Sequence, residues 1–239
     1  MGKQFVVLDV WTVERKHIPR AFLLMGLQRR PIRRTDGLSF WKLMGTGSGR
    51  TFTIRDADPT QWAILSVWTQ ESNHQAFRES KVLAQWQAIS KTHAHLELEP
   101  LSAKGSWQKQ NPFKPEVTSR WTGPTAALTR ARIKPRWWIS FWRAVPPVSF
   151  DLNKTDGLIA SIGIGEAPVG LQGTFSVWHS MDAITQFASR QQPHQKVVAR
   201  TAETGWYAEE LFARFKVLRA TGELAGINLD QIDLGDGNE

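Results

Sequence analysis

The sequence contains no cysteine. This excludes a catalytic thiol, an iron–sulfur cluster, a zinc–thiolate site and a cysteine-ligated haem, and it is compatible with a cytoplasmic chain. Tyrosine is nearly missing, with Tyr207 the single example. Nowhere do about 18 apolar residues run together, so no bilayer-spanning helix is expected. The N-terminal apolar run is interrupted by Asp9 and Glu14 before a secretory core forms, and position 6 lacks the Ser or Thr of a myristoylation signal. There is no Gly-x-Ser-x-Gly nucleophile elbow. The glycine-rich stretch Lys42–Arg50 lacks the Lys-Ser/Thr of a phosphate loop and leads towards Phe52 rather than a helix, so nucleotide binding is rejected. Glycines at a strand end do allow a backbone to approach a flat ligand closely.

What is present is a chain of 239 residues, enough for one large domain or two small ones and for a substantial core. Hydrophobic residues make up 41% and charged residues 22%, which excludes general disorder. There are 12 tryptophans, and the net charge is +8. The charge is uneven, because Asp230–Glu239 holds four acids and no base and reads as a flexible tail. Arg29, Arg30, Arg33 and Arg34 cluster around Pro31, either as a solvated loop or as a contact for an anionic partner. Between Pro135 and Arg143, Trp137, Phe141, Trp138 and Trp142 pair at i,i+4 and exceed what one helix face buries. An interfacial surface for a membrane or a greasy substrate is expected there.

The two halves repeat one another. Pro19-Arg20 opens an apolar stretch ending at Pro31, and Pro135-Arg136 opens one ending at Pro147. Thr35-Asp36-Gly37-Leu38 recurs as Thr155-Asp156-Gly157-Leu158, and Val67-Trp68 as Val177-Trp178. Periodicity gives strand 5–13, helix 20–27, strands 38–44 and 62–68, helix 71–90 and strand 95–101. The second half gives strand 127–133, helix 135–145, strands 158–164 and 173–178, helix 182–201 and strand 211–218. The expected fold is α+β: two ferredoxin-like β-α-β-β-α-β halves, 1–104 and 125–220, joined by a Pro/Gly-rich linker (105–124) and followed by a tail (221–239). Their bare sheet faces bury each other in an α/β barrel.

Among the histidines, His93 and His95 share a strand face and need a third ligand to hold metal. No neighbouring residue supplies one, so they read as surface residues. His17 and His74 lie in polar surroundings and read as solvated, and His179 reads as loop. His194 shares a helical face with Val197, Val198 and Thr201, which suits either a hydrogen-bonded core residue or a proximal haem ligand. Aromatics among bases also suit single-stranded nucleic acid, but these are tryptophans in apolar runs and no RNP-type motif occurs, so nucleic acid is not expected as a partner.

Gly37-Leu38-x-Phe40-x-Lys42-Leu43-Met44-Gly45-x-Gly47, Trp62–Trp68, Thr174–Trp178 and Gly205–Phe215 together resemble the spheroidene monooxygenase family. The resemblance covers roughly residues 5–218. It implies a haem-dependent enzyme that inserts keto oxygen from O2 into an acyclic carotenoid, using electrons from a ferredoxin-type donor. The chain is also similar to dimeric α/β-barrel proteins that hold haem between sheet and helix through a histidine. On that resemblance His194 becomes the axial ligand, and Lys42, Met44, Gly45 and Gly47 line the cofactor pocket. Arg200 and Arg214 become partners of the haem propionates or of bound oxygen. The apolar polyene substrate implies peripheral contact with the inner membrane. The alternative is a non-catalytic α/β-barrel protein that binds a lipid-like or haem ligand.

Overall fold

The structure, a computed structural model, describes residues 4–47, 56–116, 121–134, 155–166, 173–190 and 207–235. Strand β1 (Phe5–Val13) is followed by α1 (Ile18–Leu27), with Pro19 in its first turn, and by α2 (Arg29–Arg33). Strands β2 (Leu38–Gly47) and β3 (Ala57–Trp68) come next, then α3 (Glu71–Arg78), α4 (Lys81–Gln87) and β4 (Ser90–Gly105). Beyond them lie β5 (Thr125–Ile133), β6 (Leu158–Gly165), β7 (Gly173–Trp178), α5 (Met181–Arg190), β8 (Tyr207–Leu224) and the short β9 (Ile227–Asn228). The architecture is mostly antiparallel sheet with few helices.

All nine strands belong to one sheet, ordered β4-β1-β3-β2-β6-β7-β5-β8-β9. The order within the first four, β4-β1-β3-β2, recurs as β8-β5-β7-β6. The two sets join where β2 meets β6 through Gly45↔Gly165 and Gly47↔Gly163. They join again where β8 lies along β4 from Ala94↔Gly222 to Gly105↔Leu211.

Matching local contacts accompany the matching order. Gly37 and Gly157 both take left-handed φ, +73° and +87°, a conformation glycine reaches without steric cost. Each Gly carbonyl accepts a 2.9 Å bond, from Thr69 N and from His179 N. The register slips at Leu38/Phe40 in one set and at Leu158/Ala160 in the other. Trp68 Nε1 donates to Ser66 Oγ at 2.9 Å, and Trp178 Nε1 to Ser176 Oγ at 2.8 Å.

The pleat places alternate residues of β1 in two cores. Val6, Leu8 and Val10 join an interior cluster that draws on β1 to β8. Phe5, Val7, Trp11 and Val13 face outward and are covered by α1–α4.

The chain departs from its sequence pattern in three places. The expected helix over 71–90 is two helices, because Ser80 takes an extended conformation and caps α4, accepting from Leu83 N. The linker is not simply solvated: Trp107 and Phe113 are fully buried in the interior cluster. The expected flexible tail is also corrected. From Thr221 to Leu224 the chain still belongs to β8, Leu229 is wholly buried in the same cluster, and Asp230 Oδ1 accepts from Gly222 N. Apolar Leu224 and Leu229 anchor this segment despite its acids. The expected helix over 135–145, with Trp137, Trp138 and Trp142, lies outside the described residues, as does the stretch 191–201 beyond α5.

Candidate functional site

The outer face of the second strand set carries small side chains where the first carries large ones. Strand registers align Phe5 with Thr125, each opposite the last tryptophan of its neighbour. Val7, Asp9 and Trp11 therefore correspond to Ala127, Thr129 and Ala131. In the first set large rings fill much of the space under the helices: Trp11 stacks on Trp86 at 5.4 Å, and Trp62 meets Phe22 at 4.9 Å. In the second set a cavity of about 430 Å³ remains between the sheet and α5.

Its floor includes Ala127, Thr129, Ser176 and Trp178, and its roof is Ile184, Phe187 and Ala188, which share one face of α5 at i, i+3 and i+4. Trp178 and Phe187 lie 5.2 Å apart, and Trp178 is locked by its bond to Ser176. Arg214 brings the one described arginine to the lining. Its Nη1 donates to Met181 Sδ at 3.1 Å, a weak acceptor, and among the described residues no carboxylate pairs with it. The arrangement offers a flat apolar slot with a half-buried cation at its edge, suited to a greasy ligand that carries an anionic group.

A polar cluster occupies the corresponding face of the first set. Asp9 Oδ1 accepts from His93 Nε2 and His95 Nδ1, both at 2.8 Å, and His95 Nε2 meets Glu97 Oε1 at 3.2 Å. Burial pushes the Asp9 carboxyl upward, but the hydrogen bonds and charges of the two histidines outweigh it and hold it at about 2. Burial pushes His95 downward, but the bonds to Asp9 and Glu97 prevail and raise it to about 9. His74 is buried rather than solvated. It lies against Phe5, Trp68 and His95, and desolvation lowers it to about 4. His95 is likewise buried rather than on the surface, and the missing carboxylate comes from β1, more than 80 residues away. A lone acid on the otherwise apolar face of Phe5, Val7, Trp11 and Val13 was the readable sign.

Lys42 belongs to a third assembly. Its Nζ pairs with Glu166 Oε2 at 2.8 Å. Glu166 Oε1 also accepts from Trp107 Nε1 (2.7 Å) and Arg130 Nη2 (2.6 Å). Arg130 continues to Glu209 at 3.2 Å, and Glu209 accepts from Lys109 N at 2.7 Å. The Arg130 guanidinium lies 4.9 Å over the Trp107 ring. This network ties β2, β5, β8 and the crossing segment together at a point where the strand sets meet.

Of the described residues expected at a cofactor site, Arg214 alone lines the cavity beneath α5. Lys42 is engaged with Glu166, Met44 is buried in the interior cluster, and Gly45 and Gly47 pair with β6. His194 and Arg200 lie outside the described residues. Asp9, Trp107, Arg130, Glu166 and Glu209 were not anticipated, because their partners are distant in sequence. No described helix is long and apolar enough to cross a membrane.

Fold and cavity together define an antiparallel α+β protein that keeps an apolar, cation-edged slot between one sheet face and a helix. No protein-family model matches the chain. It is 36% identical over 212 residues to spheroidene monooxygenase of Rhodobacter capsulatus, covering 87% of this chain and 88% of that protein. It is 33% identical over 191 residues to the enzyme of the same name from Cereibacter sphaeroides, covering 78% of this chain and 58% of that one. The chain belongs to the spheroidene monooxygenase family. Among solved structures, an aldoxime dehydratase in complex with butyraldoxime superposes with a TM-score of 0.57 at 10% identity, over 90% of this chain and 80% of that one. That likeness is one of fold.

Proposed function

We propose that this chain is a haem-dependent monooxygenase that inserts oxygen, finally as a keto group, into an acyclic carotenoid such as spheroidene. Family membership supports the reaction and the substrate class. The observation that carries the reading is the slot of about 430 Å³ beneath α5, with Arg214 at its edge. A porphyrin is flat and apolar with carboxylates on its rim. Small residues on the floor, aromatic Trp178 and Phe187 against it and an arginine without a carboxylate partner among the described residues fit such a group. Haem, when bound, supplies a redox-active iron at which O2 is activated. His194, four residues beyond α5 in sequence, would hold its iron, and Arg200 and Arg214 would hold its propionates or the bound oxygen.

The chain's own residues do the remainder. Trp178, Ile184 and Phe187 exclude water from the slot, which strengthens every electrostatic contact within it. Arg214 holds a fixed positive charge beside the reacting region without a proton to lose. The first oxygenation replaces a C–H by C–OH while the second oxygen atom leaves as water. That needs two electrons and two protons, which a ferredoxin-type donor and solvent supply; a second hydroxylation of the same carbon, with another O2, two electrons and two protons, gives a gem-diol that loses water to leave the ketone.

We also infer that the sheet is a closed barrel of two duplicated ferredoxin-like halves, 1–104 and 125–220. The repeated strand order, repeated turn contacts and the β4–β8 pairing support this. Leu23 and Leu27 of α1 are exposed beside the exposed Arg29, Arg30, Arg33 and Arg34, so this face suits an anionic lipid surface from which the polyene is drawn.

The test is turnover of spheroidene under ¹⁸O2 with haem and a reduced ferredoxin-type donor. The expected result is an ¹⁸O-labelled hydroxy or keto product that requires both the protein and the reductant. Recovery of unaltered carotenoid from a haem-loaded, reduced protein overturns the proposal.

A further inference from the structure

We propose that Asp9, His93 and His95 form a binding site for one divalent transition-metal ion of the zinc class, separate from the slot beneath α5. The three candidate ligand atoms lie within 4.8 Å of one another, with Asp9 Oδ1 2.8 Å from each histidine nitrogen. Two imidazoles and one carboxylate are a donor set that suits zinc and its neighbours, and a three-residue set leaves at least one position open.

Independent features of the surroundings support this choice. A metal-bound histidine characteristically gives its other ring N–H to a carboxylate, and His95, reaching Asp9 through Nδ1, presents Nε2 to Glu97 at 3.2 Å. Both rings are also fixed before any ion arrives. His93 stacks on Trp11 at 5.3 Å with 6° between planes, and His95 stacks on His74 at 5.6 Å with 11°. Pre-set ligands bind without losing further side-chain freedom. Asp9 is buried and held on a central strand between β3 and β4. The ion replaces the shared protons of two hydrogen bonds. In a tetrahedral site with bonds of about 2.0–2.1 Å the ligand atoms stand roughly 3.3 Å apart, so small side-chain shifts complete the geometry.

The open side has a character of its own. A cavity of about 310 Å³ adjoins the three ligands and is lined also by Arg78 and Arg219. With both histidines neutral, the ion's two positive charges are matched by Asp9 and Glu97, and Arg78 and Arg219 add positive charge to the cavity's lining. An anionic or carboxylate-bearing ligand is therefore the class that completes the coordination. The corresponding positions of the second strand set, read from the registers, are Thr129, Phe212, Glu210 and Arg214 in place of Asp9, His95, His93 and Glu97. The site is thus a property of the first set alone, and the inference does not rest on the haem reading.

Calorimetric titration of the untagged full-length chain, chelator-treated and then given Zn²⁺, tests the proposal, with the Co²⁺ absorption spectrum as a second readout. One ion per chain is expected, together with tetrahedral-type Co²⁺ bands. His93→Gln, at the half-exposed ligand, and Asp9→Asn should each weaken binding at least about 100-fold. Glu97→Gln should weaken it about 10–100-fold. His179→Gln, at an exposed histidine elsewhere, should bind as the parent does. Circular dichroism of each variant separates lost binding from lost folding, and His93→Gln keeps the test valid if Asp9→Asn misfolds. Absence of stoichiometric binding by the parent overturns the proposal. So does Zn²⁺ affinity that survives His93→Gln in a folded chain.

Discussion

Replacing Glu166 by alanine removes a carboxylate on which three side chains converge, those of Lys42, Trp107 and Arg130. Arg130 keeps Glu209 after the change, but the Lys42 ammonium, with a side chain only 7% exposed, loses the carboxylate it pairs with. Removing one partner of a buried ion pair costs about 3–5 kcal/mol. The side chain of Glu166 is itself 28% exposed, so water reaches part of the vacated space, and the lower end, about 3 kcal/mol, is expected. At about 2–4 °C per kcal/mol for a chain of this size, Tm should fall by roughly 6–12 °C. Lys42→Met should cost less, because Glu166 keeps two other donors. The double variant should be less damaged than the sum of the two, with a coupling of about 1–3 kcal/mol. Urea unfolding followed by tryptophan fluorescence measures all three. A Glu166→Ala loss below about 1 kcal/mol, or simple additivity, would refute the claim that this network joins the strand sets.

The remaining predictions concern acid stability, the C-terminal segment and the exposed face of α1. Burial pushes Glu166 and Glu209 upward, yet the bonds each receives outweigh that and hold both below the ordinary value of 4.5. Their stabilisation is full above that value and disappears as pH falls through the lower folded-state value. The urea midpoint should therefore drop on acidification below about 4.5, and it should drop less steeply in Glu166→Gln. Leu229→Ala should cost about 2–5 kcal/mol in the same assay, as a buried core leucine does; a neutral result would mean the segment is not held to the core. Leu27→Asp should reduce sedimentation with anionic vesicles and leave Tm within about 1–2 °C, since exposed substitutions change stability by about 0.5 kcal/mol or less. Binding of parent and variant to neutral vesicles alike would contradict an electrostatic contact.

The repeats and periodicities made most of the fold legible. β1 and β7 run from Phe5 to Val13 and from Gly173 to Trp178, the bounds their alternation gives. The Thr-Asp-Gly-Leu turns fall at equivalent points, because a left-handed glycine is a local requirement written in local residues. The break at Ser80 was less visible, since an apolar stripe continues through it and the serine competes only as a cap. Sites fared differently. Arg214 lies on β8, within a motif legible in the sequence, and lines the slot. The Asp9–His93–His95 cluster and the Glu166 network join residues 36 to 124 positions apart, so only strand pairing brings them together. The burial of the linker's Trp107 and Phe113 was not anticipated: nearby proline and glycine mark a connection, whereas the bulk and apolarity of these two side chains decide their burial.

The central claim is that the slot beneath α5 holds haem, and one absorption measurement addresses it. Purified chain should be reconstituted with haem and scanned alongside Arg214→Leu, His194→Ala and Ala127→Trp, the last planting an indole on the slot's floor. The account predicts a Soret band for the parent chain, a weaker haem affinity in Arg214→Leu and an altered band in His194→Ala. It predicts little or no haem uptake in a folded Ala127→Trp. A parent chain without a Soret band, or one whose spectrum and affinity are unchanged by all three substitutions, contradicts it.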